Sequence, residues 1–480
     1  MKLYFDAEKF LKHNDGSLQK RIFNDKKVTN PKHVFALVYS TLKYNDYIQQ
    51  IIQKSKIQRD LKSKISKELL TLLVHDLIFS ARGRIESGKH PIKDAVLAHK
   101  TRLQAEFIKL KLRYKVKSVD QLPTKECEDE TPVRWFRINT VKIDPERFFK
   151  KHQFFTNLQP VNSFQDLTGP GLIYADDYIP NLFGIHPKEK LSLTEAYKLG
   201  EIIIQDRASC FPAHILNHNK EHTKIIDACA APGNKTSHVA SYLPNYDSSS
   251  VVYAVERDEK RVGILRTMSE RALGKSKKKL IQVLHNDFTK INSNDFPEVT
   301  GLIVDPSCSG SGIFGRASDE EESNDQRLEK LASFQVIIMK HALSFPGARK
   351  VVYSTCSIHV EENERVVIDL LSDPQIQSQG WKLATRDDVL PSWERRGIES
   401  EFFALSRDPE TCKKLAGGCV RSNSKEDGGI GFFAACFVRE TSVDEEENDA
   451  KDEEKDEEKD EEEDEEENDV EDEDEWAGFE

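Results

Sequence analysis

The feature that most constrains the fold is an alternation of short apolar runs with helical patterns, which begins at about residue 210. Five runs, most of them rich in β-branched residues, predict strands at 224–228, 250–255, 280–284, 301–304 and 350–353. Helical patterns lie between them at 235–242, 258–273, 327–343 and 360–371. Strand–helix alternation of this kind predicts a parallel sheet that is covered by helices on both faces. One more apolar run, at 432–438, predicts a late strand.

The remainder of the chain divides by texture into three further parts. Residues 1–120 show helical periodicity at 33–52, 65–78 and 92–114, with Val34, Val38, Leu42 and Tyr44 near helical spacing. After a Pro-containing linker, a strand-like run at 133–141 opens a small α+β unit at 125–208. The α/β domain occupies 209–440, and the tail at 441–480 repeats the unit KDEE, which predicts disorder. We therefore expect an all-α domain, a small α+β subdomain, an α/β domain and a disordered tail.

The charge of the chain is distributed very unevenly. The formal net charge is −13, but the tail from residue 441 alone contains 26 Asp and Glu against 3 Lys. The first 120 residues contain 26 Lys and Arg against 12 Asp and Glu. A basic body with an acidic tail is typical of a protein that binds a polyanion such as nucleic acid. The tail itself is compatible with binding a basic partner or with solubility alone.

Several classes of protein are disfavoured by the sequence. The first ten residues, MKLYFDAEKF, carry charges where a signal peptide would be apolar, and no uncharged apolar run approaches 18 residues. We expect a soluble protein of a reducing compartment with no membrane attachment. The eight cysteines contain no C-x-x-C pair, so neither a disulfide framework nor a metal site is predicted. Cys412 and Cys419 are seven residues apart without a nearby histidine, which favours an ordinary surface or core position over a metal site.

The loop after the first strand of the α/β domain predicts a cofactor site. The sequence IIDACAAPGNKT at 225–236 follows a buried strand and opens a helix. In a doubly wound sheet a nucleotide-like ligand binds at this place, and small residues let it approach the backbone. The spacing of a P-loop is absent, and a dinucleotide fingerprint needs three spaced glycines where this loop has one. These absences favour a cofactor that contains adenosine but no phosphate.

Acidic residues at successive strand ends support the same cofactor. Glu256 ends the second strand, where it is suited to accept hydrogen bonds from the ribose hydroxyls. Asp287 follows the third strand, in a position suited to an adenine amino group, and Asp305 follows the fourth. One acid at a strand end is usually only solvated. Three in series predict a site for S-adenosyl-L-methionine.

Two cysteines follow two neighbouring strands. Cys308 lies in DPSCSGSG after the fourth strand, and Cys356 lies in YSTCS after the fifth, so both should emerge at one edge of the sheet. Free cysteines are often small buried hydrophobes, but these two stand among serines in turn-like sequence. A thiolate that adds to carbon 6 of cytosine makes carbon 5 nucleophilic enough to attack a sulfonium methyl group. Asp305 could then hold the ring nitrogen and the exocyclic amine of the base.

In order and spacing, the motifs DACAAPGNKT, AVERDEKR, HNDF, DPSCSGSG and YSTCS resemble the RsmB/Sun family of RNA cytosine-5 methyltransferases. The resemblance covers about residues 133–439, and its most specific part is the pair of PSC and TCS cysteines. The basic helical N-terminus, the PSCSGSG spelling and the acidic tail look most like the eukaryotic branch that acts on large-subunit ribosomal RNA, and in particular like its fungal members.

The resemblance implies a role for each matching residue. Cys356 is expected to attack the base and Cys308 to help release the product, with Asp305 and Lys235 also in the catalytic set. Positions expected to contact the cofactor or the base are Cys229, Ala230, Ala231, Pro232, Gly233, Asn234, Lys235, Glu256, Arg261, Asp287 and Asp305. The run VRWFRINT at 133–140 is expected to open an RNA-binding subdomain of ferredoxin-like type. Residues 245–250 lengthen one connection and should form a surface loop.

The resemblance also implies a setting, and some alternatives remain open. We expect a nuclear, nucleolar monomer that acts on ribosomal RNA within a pre-ribosomal particle. The same catalytic residues would serve transfer RNA or small-subunit ribosomal RNA. A non-catalytic ribosome-assembly factor could keep the fold, although retention of both cysteines and of every cofactor acid disfavours it.

Overall fold

The computed structural model describes residues 1–12, 18–61, 65–80, 82–116, 118–119, 122, 131–246, 249–274, 277–313, 325–424 and 426–439. The acidic tail at 441–480, most of the predicted linker and part of the predicted loop at 245–250 lie outside the described residues. The chain divides into two compact units. The first comprises the described residues up to 122, and the second comprises those from 131 onward.

The first unit is helical throughout its described part. Its helices are α1 (Lys2–Lys12), α2 (Leu18–Asn24), α3 (Pro31–Lys43), α4 (Asn45–Ser55), α5 (Ile57–Leu61), α6 (Lys67–Val74), α7 (Pro91–Leu97) and α8 (Lys100–Arg113). Helix α6 is apolar around most of its circumference, and Leu69 to Val74 are all buried at its centre. A helix with this pattern must lie inside the bundle, and α6 passes into a π-helical turn at His75–Phe79. Among the described helices, none is long and apolar enough to cross a membrane.

The helix predicted at 33–52 is two helices in the structure. Asn30 caps the start of α3, where Pro31 occupies the first turn. Tyr44 ends α3, and α4 begins directly afterwards. Val34 and Val38 are buried as predicted, but Leu42 is 41% exposed, so its assignment to the apolar face was wrong. Within the last turn of α3, Thr41 is fully buried whereas Leu42 faces solvent.

The second unit begins with a small α+β subdomain. Its strands are β1 (Arg134–Ile138), β2 (Gln159–Val161), β3 (Leu172–Ala175), β4 (Leu182–Ile185) and β5 (Ile202–Ile204). Its helices are α9 (Pro145–Lys151), α10 (Gln153–Thr156) and α11 (Glu195–Lys198). Antiparallel pairing in the order β3-β4-β1-β5 gives the arrangement of a ferredoxin-like sheet, and the short β2 adds to its edge.

The larger sheet carries the alternating pattern. Its strands are β6 (Lys224–Asp227), β7 (Val251–Glu256), β8 (Ile281–His285), β9 (Gly301–Val304), β10 (Lys350–Thr355), β11 (Lys382–Leu383), β12 (Cys419–Ser422) and β13 (Phe432–Val438). Its helices are α12 (Phe211–Asn217), α13 (Asn234–Ser241), α14 (Glu259–Leu273), α15 (Asp325–Leu343), α16 (Glu364–Leu371), α17 (Pro374–Ser378) and α18 (Pro409–Gly417). Each of the five strands and four helices predicted in the alternating region is present, with small shifts at its ends.

The order of this sheet is β11-β13-β10-β9-β6-β7-β8, with β12 beside β13. Strands β10, β9, β6, β7 and β8 are parallel, as predicted. The late strand β13 is antiparallel to β10, and it pairs with β11 and β12 in the same sense. A parallel connection needs a crossover of a dozen or more residues, whereas β13 follows β12 after a short loop. The parallel sheet therefore acquires an antiparallel edge.

Apolar clusters cover both faces of the sheet. Ile225 packs in one cluster and its neighbour Ile226 in the other, as alternation along a strand requires. The chain order reverses between β6 and β9, which are neighbours in the sheet although two strands separate them in sequence. A doubly wound sheet opens a crevice at this reversal, beyond the carboxyl ends of its strands. The expected Rossmann-like α/β class is confirmed.

Candidate active site

The loop after β6 is fixed against the strands on either side of it. Ala228 N–H donates to the Ile303 carbonyl at 2.9 Å, and Ala230 N–H donates to the Val255 carbonyl at 2.9 Å. Thr236 Oγ1 donates to Asp227 Oδ2 at 2.7 Å, which ties the start of α13 to the end of β6. Burial raises the pKa of Asp227 to about 6 despite that hydrogen bond. These hydrogen bonds hold the loop in place at the centre of the crevice.

Gly233 makes the sharp turn from this loop into α13. It has a φ of 108°, a left-handed conformation that favours glycine, and it caps the helix. A Cβ atom there would lie 3.0 Å from Leu265 Cδ1. Gly233 lines neither of the two cavities described below. The structure therefore gives Gly233 a role in shaping the loop, and its contact with the cofactor or the base stays a prediction.

One cavity, of about 280 Å³, lies on the side of the loop that faces β7 and β8. We call it the cofactor cavity. Its lining includes Cys229, Ala231, Glu256, Arg261, Asn286, Asp287, Phe288, Asp305, Cys308, Phe334, Ile338 and Cys356. The acids predicted at three successive strand ends are thus brought together, and both predicted catalytic cysteines border the same space.

Glu256 is the most deeply buried acid of the cofactor cavity. It is only 5% exposed, and its Oε1 accepts the N–H of Asp258 at 2.8 Å. Arg261 Nη1 lies 3.2 Å from Glu256 Oε2, and Arg261 Nη2 donates to the Ala231 carbonyl at 2.7 Å. Arg261 therefore links the acid of β7 to the loop after β6. This link fixes the position of the carboxylate, which still borders the cavity.

A second cavity, of about 170 Å³, lies on the other side of the loop. We call it the base cavity. Its lining comprises Gln205, Asp206, Ser209, Cys229, Ala230, Ala231, Pro232, Asn234, Lys235 and Asp305. This cavity, and not the cofactor cavity, is lined by Ala230, Pro232, Asn234 and Lys235, four of the positions expected to contact the cofactor or the base. Cys229, Ala231 and Asp305 border both cavities, so the two spaces meet at these residues.

Lys235 and Asp305 form a half-buried ion pair in the base cavity. Lys235 Nζ donates to Asp305 Oδ2 at 2.8 Å, and Ser354 Oγ donates to Asp305 Oδ1 at 2.8 Å. Burial works to lower the pKa of Lys235, but the Asp305 carboxylate and the nearby charge of Cys356 raise it overall. The lysine is therefore a permanent cation beside an oriented acid. This pair offers a donor and an acceptor to a planar polar ligand.

Cys308 and Cys356 lie side by side as free thiols. Their Sγ atoms are 3.2 Å apart, and both residues are half-buried. The hydrogen bond to Cys356 and then burial raise the pKa of Cys308 far above its usual range. Cys308 is accordingly a neutral thiol at neutral pH, and its S–H can donate to the Cys356 sulfur. A thiolate at Cys356 is stabilised by that donor and by the nearby Lys235 ammonium.

Backbone hydrogen bonds bring the two cysteine loops together. Gly312 N–H donates to the Cys356 carbonyl at 3.0 Å, and Gly431 N–H donates to the Gly312 carbonyl at 2.8 Å. A Cβ atom on Gly312 would lie 2.1 Å from the Gly431 carbonyl oxygen. The segment before β13 therefore packs directly on the Cys308 loop, with glycines at the point of contact.

The sequence patterns did not identify three residues of the base cavity. Gln205, Asp206 and Ser209 follow β5 of the small subdomain and complete the cavity wall. Asp206 Oδ1 accepts the N–H groups of Ala208 at 3.0 Å and Ile430 at 3.2 Å, while burial raises its pKa to about 6. The sequence did contain a signal for them: Gln205 and Asp206 directly follow the apolar run Ile202–Ile204, just as the predicted acids of the cofactor site follow strands.

A basic groove runs along the small subdomain. It has a volume of about 740 Å³, and its lining includes Lys150, Lys151, Lys188, Lys190 and the 39% exposed ring of Phe154. We call it the lysine groove. The acids of the lining are Glu189, which accepts the N–H of Gly171, and Glu195. Outside the lining, Glu201 pairs with Lys151 and His152. Lysines beside an exposed ring suit a single-stranded nucleic acid.

Two sequence families match the chain. The family described as 16S rRNA methyltransferase RsmB/F matches residues 213–391. The family described as NOL1/NOP2/Sun domain family member 5, N-terminal domain, matches residues 32–122. The two matches fall in the α/β domain and in the helical first unit, respectively.

Curated relatives span most of the chain. The 25S rRNA (cytosine-C(5))-methyltransferase rcm1 of Schizosaccharomyces pombe is 42% identical over 439 residues, which are 88% of each chain. A 28S rRNA (cytosine-C(5))-methyltransferase of Mus musculus is 33% identical, over 88% of this chain and 87% of its own.

The fold has counterparts among solved structures. A methyltransferase homolog protein from Pyrococcus horikoshii superimposes with a TM-score of 0.51 at 19% identity, over 80% of this chain and 99% of its own. This likeness concerns the fold alone. The sequence relatives, which are similar over most of the chain, also show the family: the chain belongs to the RsmB/Sun family of RNA cytosine-5 methyltransferases.

Proposed function

We propose that this protein methylates carbon 5 of a cytosine in large-subunit ribosomal RNA, with S-adenosyl-L-methionine as the methyl donor. One observation carries the proposal. Two free thiols, 3.2 Å apart, line the cofactor cavity together with Asp305, one of the residues at which this cavity meets the base cavity. An enzyme that must first activate a carbon and then methylate it needs a nucleophile at this junction.

The cofactor cavity fits S-adenosyl-L-methionine by its chemistry. The buried Glu256 at the end of β7 and the half-buried Asp287 after β8 suit ribose hydroxyls and an adenine amino group, while Phe288, Phe334 and Ile338 supply apolar walls. The described cavity has no glycine-rich pyrophosphate turn, in keeping with a cofactor that has no phosphate. When bound, the cofactor supplies an electrophilic methyl group. Glu256, Arg261 and Asp287 hold its nucleoside part.

The base cavity suits cytosine, whose polar edge needs both a donor and an acceptor. Asp305 accepts from the exocyclic amine, and Lys235 donates to a ring acceptor of the same base. Cys356 Sγ then adds to carbon 6, and the electron pair displaced to carbon 5 makes that carbon the acceptor for the methyl group, which the bound cofactor would supply with its sulfur as the leaving group. Release of the carbon 5 proton to water re-forms the double bond between carbons 5 and 6 and expels Cys356 as a thiolate, which the Cys308 S–H stabilises.

The names of the relatives indicate the class of substrate. The fungal relative is a 25S rRNA methyltransferase and the mouse relative a 28S rRNA methyltransferase, so we infer that large-subunit ribosomal RNA is the substrate here too. On this basis we propose a nuclear, nucleolar monomer that acts on a pre-ribosomal particle. Transfer RNA, small-subunit ribosomal RNA and a non-catalytic assembly role are the alternatives.

The decisive experiment expresses Cys308→Ala in cells and seeks an RNA–protein adduct that survives denaturation. Blocking release while attack continues should trap the base on Cys356, and sequencing the attached RNA identifies the substrate. The matched control is the double variant Cys308→Ala, Cys356→Ala, in which the adduct should be absent.

Each outcome bears on a different part of the proposal. An adduct that persists in the double variant shows that another residue is the nucleophile. Adducts on transfer RNA or small-subunit ribosomal RNA overturn the assigned substrate and keep the chemistry. If no adduct forms and purified protein does not bind S-adenosyl-L-methionine, the enzymatic function is wrong and the assembly role stands.

A further inference from the structure

A carboxylate with no exposed surface lies directly behind Cys308. Glu362 is 0% exposed, and its Oε1 accepts the N–H of Ser309 at 2.9 Å and Nε2 of Gln335 at 3.0 Å. Its Oε2 is also buried, and among the described residues it has neither a hydrogen-bond donor nor a cationic partner. Buried carboxylates are normally paired, because an uncompensated charge is costly away from water. This exception calls for a function.

Glu362 belongs to a network that holds the backbone on both sides of Cys308. Gln335 Nε2 also donates to the Ser307 carbonyl at 3.1 Å. Tyr353 OH donates to the Glu362 carbonyl at 2.6 Å and lies 3.1 Å from Gln335 Oε1. Gln335 and Tyr353 are both fully buried. The residues before and after Cys308 are therefore anchored to one carboxylate and its two supports.

The charge of Glu362 acts on Cys308, whereas the charge of Lys235 acts on Cys356. Glu362 binds the residue next to Cys308, and its negative charge is one of the influences that keep Cys308 protonated, after the bond to Cys356, burial and Asp305. Cys356 is instead close enough to the Lys235 ammonium for their charges to interact. An anion is therefore disfavoured at one sulfur and favoured at the other.

We propose that Glu362 is a positioning residue that makes the two thiols unequal, with Cys308 as the protonated donor and Cys356 as the nucleophilic anion. Without this bias, two thiols at hydrogen-bond distance could share one proton either way. The inference rests on the proposed function, in which Cys356 attacks the base. It adds the residue that decides which cysteine attacks.

The test is competitive alkylation of the full-length protein with iodoacetamide at neutral pH, with each cysteine quantified by peptide mass spectrometry. Only a thiolate reacts quickly, so wild-type protein should react at Cys356 in preference to Cys308. Glu362→Gln keeps the size and the acceptor for Ser309 but removes the charge. We expect the preference for Cys356 to fall about tenfold, which corresponds to a relative change of one pKa unit.

Two matched variants separate charge from structure. Glu364→Gln removes another fully buried carboxylate two residues away, one that is paired with Arg421, and it should leave the preference unchanged. Gln335→Met removes a donor to Glu362 and leaves its charge less compensated, so the preference should be equal to or above that of wild type. A purely structural network predicts a fall for both Glu362→Gln and Gln335→Met.

The proposal is overturned if Glu362→Gln keeps the wild-type preference, or if Gln335→Met lowers it. Should Glu362→Gln fail to fold, the direction of the change in Gln335→Met decides alone. Because alkylation requires neither RNA nor cofactor, this test is independent of adduct trapping. A shifted preference without any trapped adduct would contradict the proposed function and keep the role of Glu362 as a residue that biases the thiols.

Discussion

Lys235 and Glu256 lie on opposite sides of one loop, and each is a charged side chain with little exposure. Burial of a charge is costly unless a partner is held in place, and each has one: Asp305 for Lys235 and Arg261 for Glu256. The position of Glu256 was predictable, because acids after parallel strands meet at one edge, whereas the role of Lys235 was predicted from the family resemblance. Their partners depend on side chains from other elements and were not fully predictable.

Glu256→Ala should weaken binding of S-adenosyl-L-methionine without changing the fold. Loss of hydrogen bonds to a charged acceptor costs about 1.5–3 kcal/mol each, so we expect the Kd to rise about tenfold to a hundredfold. Isothermal titration of the cofactor measures this change. Glu259→Ala, at an exposed position of α14, is the control that should leave the Kd unchanged.

Lys235→Met should reduce methyl transfer and spare cofactor binding. The lysine borders the base cavity only, and its removal leaves Asp305 without its cation. Truncating one member of a fully buried pair costs about 2–5 kcal/mol, and this pair is half-buried, so the lower value applies and single-turnover methylation should slow by about thirtyfold. A rise of comparable size in the cofactor Kd would contradict this assignment, because it would show that Lys235 contacts the cofactor and not only the base.

At the scale of elements, the strands of the α/β domain were the most predictable part of the fold. Each is an apolar run bounded by polar residues, and the structure moves their ends by only one or two positions. The break between α3 and α4 at Tyr44 was not predictable, because no glycine or proline marks it. Gln205 and Asp206 escaped notice for a related reason: they reach the base cavity from another subdomain, through tertiary packing.

The lysine groove gives β5 a role at both of its ends. Glu201, which binds Lys151 of the groove, directly precedes β5, and Gln205 of the base cavity directly follows it. Four residues of extended chain span about 13 Å, so RNA in the groove could continue into the base cavity within a few nucleotides. The lysine groove is therefore predicted to bind nucleotides that flank the target cytosine.

The double variant Lys188→Glu, Lys190→Glu should weaken RNA binding and its dependence on salt. Each lost contact to a phosphate of a single strand lowers the slope of log Kd against log salt by about 0.7, so the loss of two should lower it by about 1.4. Fluorescence anisotropy across a salt series measures both effects. Lys413→Glu, Lys414→Glu on α18 makes the same change of charge elsewhere and should leave the slope near that of wild type.

At the scale of the whole molecule, the first unit and the tail carry large charges of opposite sign, which the net charge of the chain conceals. The basic first 120 residues could supply phosphate contacts that offset the cost of unstacking a target base, which is a few kcal/mol. We therefore expect protein lacking residues 1–120 to bind RNA more weakly and with a flatter salt dependence. An unchanged slope, in protein that still binds S-adenosyl-L-methionine, would contradict a contribution of this unit.

The glycine contact beside the cysteine loops has a consequence for how this enzyme can vary. Even one methyl group on Gly312 would overlap the Gly431 carbonyl, and a Cβ on Gly431 would lie 2.9 Å from Gly312 Cα. Any side chain at either position forces apart the segments that hold the sulfur atoms of Cys308 and Cys356 side by side. In a saturation library selected for methylation, codons 312 and 431 should therefore return glycine almost exclusively, while codons of the exposed helix faces drift freely.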